Sequence, residues 1–226
     1  MTALVARARG LQARLADDAT RVQPLAPDAA ERLARERIAS DLATLARWAE
    51  PNELAALELD EDRRSLRAIV RGLAAAVPAE RRRLATVATS RLPERTLAAL
   101  AAATSSRELF DALAAIDHPL RDAFAGDPAT LDLYAIDVAL AATFARVARK
   151  LAPDRAMCAY VDQVLAAEQA RTDEDAALEQ QLATQRRLRR SEPLGLAAVI
   201  HVVLGRRAAA RTLRRAAWRS ALGGAR

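Results

Sequence analysis

The stretch Asp60-Glu61-Asp62-Arg63-Arg64-Ser65-Leu66-Arg67-Ala68-Ile69-Val70-Arg71-Gly72-Leu73 decides the fold class. Leu66, Ile69, Val70 and Leu73 fall at i, i+3, i+4 and i+7, the spacing of one face of an α-helix, while Arg63, Arg64, Arg67 and Arg71 lie largely elsewhere. Asp60 is the candidate N-cap of this helix, and Asp60, Glu61 and Asp62 read as a solvated or capping group, because adjacent helical residues point to different sides.

The same periodicity extends outward in both directions, and sustained two-residue alternation is absent. Upstream, Leu4, Leu11, Leu15 and Val22 share a face that Pro24 and Pro27 terminate, and a second helix runs from Asp28 to Trp48, before Pro51. Downstream, Pro78 and Pro93 mark the starts of short helices. Ser105 and Glu108 form a capping box ahead of Leu109, Phe110, Leu113 and Ile116. After the punctuation of His118-Pro119 and Asp127-Pro128, a long helix carries Leu133, Ile136, Leu140, Phe144, Val147 and Leu151 on one face and stops at Pro153. From Asp154 a helical stretch continues through Asp173, Glu174 and Asp175 to Arg186, Arg187, Arg189 and Arg190. Ser191 or Glu192 caps a helix beginning at Pro193, and Gly205 closes it or bends it into a last helix, Arg206 to Leu222. The chain is all-α, with about ten helices, divided into an N-terminal segment 1–58, a central bundle 59–152 and a basic C-terminal bundle 153–226.

Composition agrees. Of 226 residues, 52% are hydrophobic and 28% charged, a balance able to sustain a core without disulfide or metal. Seven glycines and nine prolines among abundant alanine, leucine and arginine favour helix. Cys158 is the single cysteine, which fits a reducing, cytoplasmic setting. Charge is unevenly placed: from Ala183 onward there are eleven arginines and one acid, Glu192, whereas the preceding part is slightly acidic. Such a region suits phosphate, anionic lipid or an acidic protein. Arginines 7, 9 and 14 interrupt any leader-like apolar run, and the longest apolar stretch, Leu194 to Leu204, is far short of the roughly 20 residues that span a bilayer. Membrane contact is expected to be peripheral.

Catalytic constellations are not evident. There is no glycine-rich phosphate loop, and Cys158, His118 and His201, with no short spacing between them, make a poor metal-ligand set. His118 before Pro119 reads as turn chemistry, His201 as a core histidine, and Cys158 beside Met157 as a small buried hydrophobe. Few aromatics and no recognition motif argue against nucleic acid as a partner. No cofactor is implied.

The segment Glu192-Pro193-Leu194-Gly195-Leu196-Ala197-Ala198-Val199-Ile200, continuing through His201-Val202-Val203-Leu204 to Ala209-Ala210-Arg211-Thr212-Leu213-Arg214, resembles the C-terminal end of the C (eukaryotic d) subunit family of V-type ATPases. Asp62 to Arg71 resembles that family's acidic-x-x-Asn-Leu helix, and Ala166 to Arg171 a third copy of the element. Ser106 to Phe124 and Leu131 to Leu151 resemble the helices between. The repeat positions are Asp62, Ser65, Leu66 and Arg71; Glu168, Gln169 and Arg171; and Arg211, Thr212, Leu213 and Arg214. Ser65, Gln169 and Thr212 stand where the family has asparagine, and alanines occupy 166 and 209 in place of acids.

The resemblance implies three helical bundles around a pseudo-threefold axis forming a funnel, the third abridged between Glu174 and Arg186. It further implies a non-catalytic central-stalk component on the cytoplasmic face of the membrane. Such a component couples the D and F shaft proteins to the membrane rotor ring, built of L or c protomers, for proton or sodium transport. Arg186, Arg187, Arg189, Arg190, Arg206 and Arg207 are the expected partner-facing cations. The alternatives are a free-standing helical adaptor and a basic nucleic-acid-binding module; an enzyme ranks below both.

Overall fold

A computed structural model describes residues 1–20, 25–50, 52–124 and 132–223, with only the helical backbone of 16–20. Val22, Pro24, Pro51, Asp127, Pro128 and Leu131 lie outside the described residues. Those described form ten α-helices and one 3-10 turn, with no strand: α1 Thr2–Thr20, α2 Pro27–Ala46, α3 Ala55–Ala74, α4 Ala79–Leu84, α5 Glu94–Ala102, α6 Ser106–Ala115, the 3-10 turn Arg121–Phe124, α7 Leu133–Leu151, α8 Arg155–Gln169, α9 Glu174–Ser191 and α10 Ala197–Gly223.

Local chemistry sets many of these bounds. Pro27 occupies the first turn of α2, where its missing N–H costs nothing. The Ser105 side chain accepts from the Glu108 N–H, and the Glu108 carboxylate reaches back to the backbone N–H and hydroxyl of Thr104, one residue before the cap. Asp132, Asp154 and Asp173 cap α7, α8 and α9 by accepting from backbone N–H groups of the first turn. The apolar stripe of the opening helix is realised, with Leu66, Ile69 and Val70 buried, and α7 has the bounds its periodicity indicated, with Leu140 and Phe144 buried.

Four local readings are corrected. α3 begins five residues before Asp60, so Asp60 is an interior residue and no cap. The stretch from Asp154 to Arg190 is broken at 170–173: Arg171 adopts φ of 51°, and the Thr172 N–H donates to the Ala167 carbonyl at 2.9 Å, ending α8. No helix starts at Pro193; residues 193–196 are turns, and α10 starts at Ala197. Gly205 neither ends nor bends α10, which runs unbroken for 27 residues. At that position a Cβ would lie 3.2 Å from Leu15 Cδ1, so the glycine admits α1 close against α10.

α10 is the hub: it packs on α1, α2, α8 and α9, while α3 packs along α7 and α4, and α7 along α8. One apolar cluster joins them, drawing residues from all three of the segments 1–58, 59–152 and 153–226. The first half of α3 is enclosed on nearly every side, since Ala55 to Leu57 and Leu59 to Arg63 are all buried. That encasement takes three acids and an arginine into the interior.

Candidate functional site: a buried arginine–carboxylate cluster

Asp60, Glu61 and Asp62 are 0%, 2% and 0% exposed, contrary to the solvated role their composition suggests. Buried carboxylates demand charged or hydrogen-bonding partners, and these come from α3 itself, from α8 and α10, and from the segments around Thr89 and His118. Asp60 accepts from the Arg63 Nε at 2.7 Å and from the Tyr160 hydroxyl at 2.5 Å, and lies 2.8 Å from Arg207 Nη2. Glu61 accepts from Arg207 Nε at 2.6 Å. Arg207 Nη1 also donates to the Tyr160 oxygen at 2.6 Å. Asp62 faces another way, accepting from Thr89 Oγ1 at 2.5 Å and lying 3.2 Å from His118 Nε2. Because His118 Nδ1 accepts the Leu120 N–H, the ring proton resides on Nε2 and is donated to Asp62.

The cluster extends outward by relay. Glu168 accepts from Arg63 at 3.2 Å and Arg67 at 2.5 Å; Arg67 and Arg71 both pair with Asp137 on α7. Glu174 is 3.1 Å from Arg211 and 3.7 Å from Arg67. Asp175 pairs with Arg211 and Arg215. The long arginine stems thus tie α3 to α7, α8, α9 and α10.

Electrostatics follow from the geometry. Burial pushes the Asp60 carboxyl up, but Arg63, Arg207 and Arg64, with the Tyr160 hydrogen bond, outweigh it and hold the group well below the usual carboxylate range. Burial also drives the Tyr160 phenol upward, so it stays a protonated donor. Burial opposes the charge on Arg207, yet Glu61, Tyr160 and Asp60 raise its pKa well above the ordinary value.

The expected repeat residues meet only in part. Glu168 and Arg211 line one polar cavity of about 60 Å³ together with Asp60, Arg63, Arg64 and Arg207. Leu66 and Leu213 are core residues. Ser65 bonds both backbone groups of Val87, its hydroxyl accepting the N–H at 3.0 Å and donating to the carbonyl at 3.4 Å. Gln169 and Thr212 are exposed and outside the cluster; the Thr212 hydroxyl donates to the Ala208 carbonyl one turn back. Arg171 lies over the Tyr134 ring, 3.8 Å from its centroid. Arg214 pairs with Glu31 at 2.7 Å.

Among the expected partner-facing cations, Arg186, Arg187 and Arg190 are exposed. Arg189 is half-buried and donates to Gln12 at 2.6 Å. Arg206 and Arg207 are 5% and 3% exposed, and Arg206 donates to Asp41 at 2.6 Å, so both serve the interior rather than an outer surface. Cys158 is exposed, not buried. His118 belongs to a buried hydrogen-bonded pair, more than a turn residue. His201 is indeed nearly buried, with no hydrogen-bond partner for Nδ1.

Among the described residues no helix is long and apolar enough to cross a membrane, and no group of three His, Cys, Asp or Glu is arranged to hold a metal ion. No family model, curated protein or solved structure matches this chain.

Proposed function

We propose that the protein is a non-catalytic coupling component of the central stalk, akin to the C (eukaryotic d) subunit of V-type ATPases, with a funnel-like fold and an abridged third bundle. In this reading it sits peripherally on the cytoplasmic face of the membrane and links the D and F shaft proteins to the rotor ring. The observation that carries the reading is the convergence of the repeat-bearing segments: Arg63 and Arg67 on α3, Glu168 at the end of α8 and Arg211 on α10 meet around one cavity, across more than 100 residues of sequence. A torque-transmitting part must resist relative sliding of its helices. Buried, directional ion pairs supply that resistance, because breaking one strands an uncompensated charge in the interior. Arg186, Arg187 and Arg190, exposed on the last turns of α9, are the cations offered to acidic ring loops or anionic headgroups; each basic residue near an anionic surface contributes about 1 kcal/mol.

The test is recovery of partners. Native membranes are solubilised in mild detergent, the complex is captured through this chain, and the eluate is identified by mass spectrometry. Rotor-ring and shaft proteins are the expected companions. Their consistent absence leaves a free-standing helical adaptor as the better description.

A further inference from the structure

Arg64 stands apart from every other arginine of the central cluster. Its neighbours are matched: Arg63 with Asp60 and Glu168, Arg67 with Asp137 and Glu168, Arg207 with Asp60 and Glu61, Arg211 with Glu174 and Asp175. Arg64 is half-buried and makes no ion pair or hydrogen bond with any described residue. The carboxylates whose charge reaches it, Glu61, Asp60 and Glu174, are already engaged by those other guanidinium groups.

An arginine cannot shed its proton to escape this position. Burial first, and the Arg207 charge after it, both disfavour the cation there. The residue lines the 60 Å³ cavity, whose charged walls hold five arginines (63, 64, 67, 207 and 211) against three carboxylates (Asp60, Glu168 and Glu174). That volume is several times the ~10–15 Å³ needed to admit one water. A larger cavity of about 280 Å³ shares Arg64, Arg67 and Glu174 with it.

We infer that Arg64 is the anchor of a small-anion site, taking a tetrahedral oxyanion of the size and charge of inorganic phosphate. Glu61, Asp137 and Asp175, just behind the walls, complete the pairing of Arg207, Arg67 and Arg211 and leave Arg64 as the unmatched cation. An anion supplies its counter-charge, and the planar guanidinium fork matches two oxygens of a phosphate bidentately. The site sits where α3, α8, α9 and α10 meet, so an occupying anion clamps the same helices that the permanent ion pairs hold. This inference does not depend on the rotary reading.

Inorganic phosphate, titrated into the full chain at constant ionic strength set with chloride, tests it by calorimetry and thermal melting. Saturable binding is expected, together with a phosphate-dependent rise in Tm beyond that of chloride. Arg64→Gln is expected to weaken the binding at least tenfold while remaining as stable as the parent in phosphate-free buffer, since it removes an uncompensated cation. Arg64→Lys, which keeps the charge and loses the fork, provides a second variant should the glutamine form fail to fold; its binding is expected to be weaker than the parent's. Phosphate binding no different from that of chloride, or unchanged by either substitution, overturns the site.

Discussion

Two groups of arginines divide this molecule. Arg63, Arg67 and Arg207 lie inside, each engaged by carboxylates carried on other turns and other helices; Arg186, Arg187 and Arg190, on α9, stand in solvent. Residue type does not distinguish the groups, and Arg207 belongs to the same basic C-terminal region as the exposed three. The difference is whether the fold delivers an acid. Asp60 and Glu61 reach Arg207 across 146 or more positions of sequence, whereas the exposed arginines of α9 have no carboxylate brought to them in the pairs described. Inside, an arginine is a cross-link; outside, it is a cation available to something else.

The sharpest way to break that contrast is Arg207→Met. It leaves Glu61, 2% exposed, without its principal cation, and a buried ion robbed of its partner costs about 3–5 kcal/mol. Urea denaturation should show a fall of that order; a loss below about 1 kcal/mol would mean that water already shares the cluster.

A middle-sized effect is expected where the outer basic face meets the core. His201 is 8% exposed, and burial, then the charges of Arg189 and Arg186, push its pKa down to about 4. The unfolded chain therefore takes up this proton before the folded one does. Stability from the neutral imidazole is complete above about pH 6.5 and is lost as pH falls toward 4. Between pH 7 and pH 5 the parent should lose on the order of 1–2 kcal/mol more than His201→Leu, as read from paired urea curves. Parallel pH profiles would remove His201 from the account.

Smallest of all should be the combined substitution of Arg186, Arg187 and Arg190 by Gln. Exposed cations on a helix surface contribute little, so the change in unfolding free energy should stay within about 0.5 kcal/mol per site. The same variant should detach more readily from anionic vesicles as salt rises, and an unchanged salt profile would end the electrostatic role of this face.

Where structure followed the sequence closely, the determinants were local. The stripe Leu66, Ile69 and Val70, the Ser105 cap and the span of α7 each rest on contacts within a few turns. The cluster escaped because an amphipathic reading assigns every charge to water. For Asp60, Glu61 and Asp62 that assignment fails: Leu57 and Leu59 precede them, Leu66 follows, and this end of α3 is wrapped all round. A run of acids flanked on both sides by core leucines was the available signal, but their partners lie on α8, α10 and the 118 turn, which periodicity does not reveal. Gly205 misled in the opposite sense, since a residue that commonly ends a helix serves here for close packing.

The break between α8 and α9 has a consequence of its own. It is made with an arginine in the left-handed region, where a Cβ costs roughly 1–2 kcal/mol, and Ala76 and Asp117 close α3 and α6 in the same way, with φ of 52° and 50°. None of these corners is written into its own residue as a glycine would write it. Around Arg171 the restraint comes from Tyr134 beneath the guanidinium and from the pairs that draw Glu168 and Glu174 toward α3 and α10. A peptide of residues 155–191 cut free of the protein loses those restraints and keeps only the Asp173 cap to hold the two helices apart. The bend is therefore only partly the segment's own, written locally by the Asp173 cap and completed by what surrounds it.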